Sequence, residues 1–174
     1  MTMPIIDSLL QELEQEAQTT KRVLERVPEG QLAWKPHPKS MSLGQLALHI
    51  ATVPGGVAKM AAQPGFDGPP SFMQPSATTA AELVPALEQS IAQARQVLGG
   101  MSDERVMETW TLKNGGQVVM AMPRAAVLRA IMLNHWYHHR GQLSVYLRQL
   151  NVPLPSIYGP SADENPFAAP VATT

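Results

Sequence analysis

Apolar residues recur at helical spacing in four long stretches of the chain. Ile6, Leu9, Leu10, Leu13, Ala17, Leu24 and Val27 form one stripe, which predicts a helix from Pro4 to Val27. Proline suits its first turn, and the cluster Pro28, Glu29, Gly30 breaks it. A second helix begins at Ser42, an N-cap whose partner Gln45 completes a capping-box pattern. It turns Leu43, Leu46, Ala47, Ile50 and Val53 inward, passes Pro54 with a kink, and stops at Pro64 and Gly65. The third runs from Thr79 to Gly99 through Leu83, Leu87, Ile91, Ala94 and Leu98, interrupted near its start by Pro85. The fourth opens at Pro123 and extends to Leu150, with Leu128, Ile131, Met132, Leu143, Tyr146 and Leu150 on one face.

Between these stripes the periodicity lapses. Pro36 and Pro38 force an extended crossing in which Trp34 is read as a packing anchor and His37 as an exposed loop imidazole. The Pro- and Gly-rich segment FDGPPSFMQPSA reads as a long loop, placed to rim a pocket. From Val106 to Met122, β-prone runs flank Asn114-Gly115-Gly116, the pattern of a small hairpin that must lean on the helices. The expected fold is therefore all-α, a four-helix bundle with up-down-down-up as a candidate topology and a small hairpin between helices three and four.

Beyond Leu150 the tail, residues 151–174, carries prolines at 153, 155, 160, 166 and 170, which exclude a regular helix. It also carries Ile157, Tyr158 and Phe167, so SIYGPSADE is expected to pack on the bundle or a partner. There it serves as a cover over the pocket mouth or as a dimer clamp, with Ala168 to Thr174 mobile.

With 174 residues the whole chain, 1–174, fits one domain that can build a core without disulfides or a structural metal. It has no cysteine, so any thiol in its chemistry must come from a second molecule. Lys+Arg 13 against Asp+Glu 14, with no basic run, argues against a nucleic-acid surface. No leader-like or membrane-spanning apolar run is present, and a soluble cytoplasmic protein is expected. Glu12, Glu14 and Glu16 precede Lys21, Arg22 and Arg26 on the first helix, a solvated arrangement that suits the helix dipole, with Glu16 at the edge of the apolar stripe.

The histidines carry a signal of their own. His135 and His139 stand one helical turn apart on the inward face of the fourth helix. An imidazole among apolar side chains needs a hydrogen-bond partner or a metal to offset its desolvation. The plain alternative is a pair of satisfied core histidines; a zinc site built on the pair needs at least one further ligand. His49, at the border of the inward face of helix two, is the candidate third, and the spacing leaves open whether it reaches the other two.

Two segments are recognisable beyond their periodicity. WKPHPKSMSLGQLALHIA and NHWYHHRGQLSVYLRQLNVPLPSIYGPSADE resemble the two signatures of the DinB/YfiT-like superfamily of metalloenzymes. The resemblance extends over most of the chain. It implies a four-helix bundle, usually a homodimer, in which His49, His135 and His139 hold Zn2+ or Ni2+. Some characterised relatives use low-molecular-weight thiols, in maleylpyruvate isomerisation with mycothiol or S-transfer with bacillithiol. The reading that follows is a metal-dependent, thiol-using transferase or isomerase acting on a small molecule. The alternatives are a metal-dependent hydrolase and a non-enzymatic metal- or ligand-binding module.

Four more residues of the second signature carry expectations. Gln142 is read on the cavity side, where it orients water or substrate or makes a core hydrogen bond; Tyr146 is either core with its hydroxyl satisfied or a pocket donor. His138 projects about 100° from His139 and is read as a flanking residue or a support behind a ligand, not as a ligand itself. Arg140 is read as structural, paired with a carboxylate of a neighbouring helix, because a cation beside a divalent metal would weaken its binding.

Overall fold

The computed structural model describes residues 3–68 and 74–168. Its long helices are α1 (Ile5–Leu24), α2 (Leu43–Ala62) and α3 (Leu83–Leu98), with a short α4 (Asp103–Met107) after them. The last helical stretch comprises α5 (Arg124–Val127), a π-helical segment Leu128–Asn134 and α6 (His135–Gln149). Contacts run α1 to α3, α3 to α2, α2 to α6 and α6 to α1, so the helices form a closed ring around one core. Leu13, Val23, Leu46, Ile50, Leu83, Leu98, Leu143 and Leu147 fill it, and each is fully buried.

The purely all-α expectation is corrected by a three-stranded sheet. Strands β2 (Thr109–Asn114) and β3 (Gln117–Pro123) form the hairpin, closed by Gly115 and Gly116 at φ 59° and 81°. Positive φ at both turn positions is what a two-residue loop of matching twist requires. The third strand, β1 (Gly65–Asp67), lies in the segment read as loop and pairs parallel with β2, Phe66 opposite Leu112. Three residues between Pro64 and Gly68 carry no readable period; the free edge of β2 makes them a strand. Of the expected rim segment, residues 69–73 lie outside the described residues.

Local capping follows the sequence closely. Ser42 Oγ accepts from Gln45 N–H at 3.2 Å while Gln45 Oε1 accepts from Ser42 N–H at 2.8 Å, both halves of the box. Pro85 falls in the first turn of α3, where no backbone donor is needed, and does not interrupt it. At α1, Asp103 Oδ1 caps from a distant element, accepting from Ile5 N–H at 2.8 Å.

Pro54 sits inside α2, which runs on to Ala62. A proline there removes the donor that Ile50 C=O would otherwise receive. That carbonyl is satisfied from another helix: the indole N–H of the fully buried Trp136 donates to Ile50 O at 2.8 Å. Next to it, Gly55 N–H donates to Ser90 Oγ at 2.8 Å and the Ser90 hydroxyl donates to Thr52 O at 3.2 Å. The gap opened by the proline is thus stitched to α6 on one side and to α3 on the other.

The C-terminal end of α2 is held by Arg124, 2 % exposed, which donates to Ala61 O at 2.7 Å and Gln63 O at 2.6 Å and pairs with Glu108. A cation is favoured at that end, where the last carbonyls lack helical donors. Trp110 of β2 donates its indole N–H to Met60 O at 3.2 Å, so the sheet docks on the same end.

The tail lies along α1 and α6. Arg22 pairs with Glu164 at 2.5 Å, Arg148 with Asp163, and Tyr158 donates to Glu16 at 2.9 Å. No described residue of 151–168 lines the cavity beside the histidines, so over this span the tail is a strap on two helices and not the expected cover. The mobility expected near the terminus concerns residues that, from 169 on, lie outside the described ones.

Trp136→Phe leaves Ile50 C=O buried and without a donor, and is expected to cost about 1–3 kcal/mol in urea unfolding. In a Pro54→Ala background the helix supplies its own donor, and the same change should cost clearly less. Equal costs in the two backgrounds would show that the indole and the proline are not coupled.

Candidate metal centre

Residue spacing puts His135 and His139 on one face of α6, and the Trp136–Ile50 bond draws that face onto α2 at His49. The Nε2 atoms of His49 and His135 lie 3.1 Å apart. One ligand nitrogen from each of the three histidines falls within 4.8 Å of the other two. The rings stand almost perpendicular, at 85°, 85° and 86°, so three imidazoles approach one point from different directions. Tetrahedral nitrogen ligands at ~2.0–2.1 Å from an ion are roughly 3.3 Å from each other, close to the observed contact.

The protonation states fit a cation. Gln142 Oε1 lies 2.7 Å from His139 Nδ1, and because an amide oxygen only accepts, the ring proton belongs on Nδ1 and the Nε2 lone pair is left for a ligand. Burial pushes His139 down to about 4, against the pull of Gln142 and with help from the neighbouring histidines. Burial also lowers His49, reinforced by His135 and opposed by the Gln74 side chain, and lowers His135, reinforced by His138. Burial thus favours the neutral ring at all three, the state that a divalent ion needs. Three His could hold a metal ion here, and the donor set suits one.

The cluster opens on a cavity of about 570 Å³. One face of α2 supplies most of its wall, with Thr52, Val53, Gly56, Val57 and Met60 following His49 at helical intervals; Ile131, Phe66 and Gln74 complete it. A cavity of this size accommodates a small organic molecule. The π-helical segment that contains Ile131 lies immediately before His135; such irregular turns are often found beside functional sites.

Other signature residues fall elsewhere. His138 is exposed, and His37 is an exposed loop residue whose Nδ1 accepts from Lys39 N–H at 3.2 Å. Gln142 is bonded to His139 and is not among the residues that line the cavity. Tyr146 donates to Met41 O at 3.3 Å, packs edge-on against Trp34 at 5.5 Å, and also lies outside the cavity lining. Arg140, 1 % exposed, pairs with Glu16 at 2.6 Å and bonds Thr20 Oγ1 at 3.1 Å. Glu16 thus engages Arg140 and Tyr158, and Gln142 is the partner of His139. The roles of Gln74 and Phe66 were not readable in the sequence, since neither has a periodic neighbour to orient it. The α2 wall was accessible in principle, because positions three, four and seven beyond His49 share its face.

A model of the DinB family matches residues 1–166 of the chain. The uncharacterized protein YrdA of Bacillus subtilis (strain 168) is 26% identical over 163 residues, 91% of each chain. Among solved structures, a DinB-like protein from Bacillus cereus ATCC 10987 superposes with TM-score 0.64 at 23% identity, covering 87% of this chain and 97% of that one. The DinB-like protein YjoA of Bacillus subtilis gives TM-score 0.64 at 18% identity, over 86% and 96%. These two likenesses show a shared fold.

A histidine whose value in the fold lies below its ordinary 6.5 stabilises the folded chain above that value and withdraws the contribution as pH falls toward about 4. Metal-free protein is therefore expected to hold its stability near neutral pH and to lose it progressively across that window. Urea midpoints across the window should fall less steeply for His139→Gln; parallel curves for the two proteins would refute the assignment.

Proposed function

The chain belongs to the DinB family, and from that premise we propose that it is a metalloenzyme in which His49, His135 and His139 hold one divalent ion, Zn2+ or Ni2+. The observation that carries this reading is the convergence of three neutral imidazoles at the wall of an apolar cavity. Bound there, the ion would supply Lewis acidity, its full charge left by neutral ligands to polarise a substrate oxygen or to lower the pKa of a thiol or water.

The residues of the chain do the rest. Gln142 holds the His139 ring in one tautomer and one orientation, the task of a partner behind a metal ligand. Trp136 fixes the approach of α6 to α2 and with it the separation of His135 from His49. Val53, Val57, Met60, Phe66 and Ile131 keep water away from a bound substrate, which strengthens every polar interaction at the histidines.

The reaction class follows from the resemblance to thiol-using relatives: transfer or isomerisation of a small molecule through an external thiol, since the chain has no cysteine of its own. On the same resemblance the protein is proposed to work as a cytoplasmic homodimer. No described helix is long and apolar enough to cross a membrane.

Elemental analysis of the purified protein is expected to find about one divalent ion per chain, sharply reduced in His49→Ala, with Gln142→Leu weakening affinity ~10–100-fold. Undiminished metal in His49→Ala would remove α2 from the ligand set. For the reaction, turnover of a panel of electrophilic and unsaturated small molecules is expected only when a small thiol is added. Thiol-independent turnover would assign hydrolysis, and saturable binding without turnover would assign a ligand-binding module.

A further inference from the structure

The wall of the cavity contains a residue that helix stability does not favour. Gly56 lies in the interior of α2, where glycine is less stable than alanine because of the extra backbone freedom it loses. Packing explains its neighbour but not Gly56. A Cβ added at Gly55 would come within 2.8 Å of Ser90 O and 2.9 Å of Gln93 Oε1, whereas one added at Gly56 would meet nothing within 4 Å. Gly56 is exposed at the edge of the cavity it helps to line, two helical turns from His49 along the same face of α2.

The same wall carries no formal charge. Among the described residues that line the cavity there is no Lys, Arg, Asp or Glu. Cations on nearby elements are committed elsewhere: Arg124 to Ala61 O, Gln63 O and Glu108, Arg105 to Glu108, and Arg129 to Glu12 at 2.7 Å. Lys59 on α2 itself borders a separate surface with Ser90 and Gln93. A carboxylate, sulfonate or phosphate on the body of a ligand would be set against Val53, Val57 and Met60 without a partner, and burying an unpaired charge is costly.

We propose that this cavity takes an uncharged, apolar substrate body, aliphatic or aryl, and that Gly56 is the specificity-determining residue that leaves room for it beside the histidines. The inference deepens the metalloenzyme reading for the reacting end of the substrate, which would lie at His49, His135 and His139. The seat of the body depends only on α2 and the residues facing it.

The test uses the full chain stripped of metal and two dyes with one ring system, neutral N-phenylnaphthylamine and anionic anilinonaphthalenesulfonate, titrated by fluorescence. The neutral dye is expected to bind roughly tenfold tighter or better. Gly56→Phe should weaken it by about tenfold by filling the space, and Val57→Arg, at a half-buried lining position, should turn the preference toward the anion. Gly56→Ala should raise Tm by ~2–4 °C, the reverse of what a glycine required by packing would do. Equal affinity for the two dyes, or titrations indifferent to both bulky variants, overturns the proposal, and a fall in Tm for Gly56→Ala overturns the role of Gly56. If Gly56→Phe fails to fold, Val57→Arg decides. Elemental analysis of the unstripped proteins separates the two readings: metal retained without dye selectivity sinks this inference alone, and selectivity without metal sinks the metalloenzyme alone.

Discussion

A carbonyl without its helical donor organises this molecule. Pro54 cannot give Ile50 O the hydrogen bond that the α2 ladder would otherwise provide, and a buried acceptor left unpaired is costly. Trp136 supplies the donor from α6. Since Trp136 adjoins His135 and Ile50 adjoins His49, the bond that repairs the helix also sets the two imidazoles side by side, their Nε2 atoms 3.1 Å apart. Ser90 makes the complementary repair on the α3 side, through Gly55 and Thr52. One break in a backbone ladder thereby fixes the relative placement of three helices at the level of the candidate site.

Two buried arginines extend this order outward by pairing polar groups that would otherwise be stranded. Arg124 takes up the carbonyls at the end of α2 and ties them to the sheet, which brings Phe66 of β1 to the cavity wall. Arg140 lies beside His139 in sequence yet turns the other way, into Glu16 and Thr20 of α1 and under the ring of Tyr158 at 5.0 Å. Its charge is neutralised there, and the tail is held against α1 and α6 by the same network, away from the cavity. The cluster of histidines is left with neutral surroundings, where burial favours the unprotonated rings.

The cavity and the cluster make complementary demands on a ligand. The histidines offer nitrogen donors to a cation, and the adjoining wall offers apolar surface with no formal charge. A substrate suited to both would bring one polar, reacting end to the cluster and an apolar remainder to α2. Gly56 keeps the space for that remainder at some expense in helix stability, in the way that binding sites tend to depart from locally optimal sequence.

What the sequence determined by itself was what a short local stretch can encode. The apolar stripes, the Ser42–Gln45 capping box, the Gly115–Gly116 turn and the shared inward face of His135 and His139 are all consequences of local spacing along the chain, and each is present in the structure. Its place at the border of the second helix's inward face made His49 a candidate third ligand, and the resemblance to a known family implied that it belongs to the set. Only the tertiary structure decided that His49 meets His135, a residue 86 positions away, because that contact depends on how two helices pack. It also decided that a loop becomes β1, that the start of the last helix is π-helical, that Gln142 serves His139, that Tyr146 turns to Met41, and that the tail straps α1. Spacing along the chain fixes which residues share a face; which faces meet is fixed by the pairing of groups far apart in sequence, here above all by a proline in one helix and an indole in another.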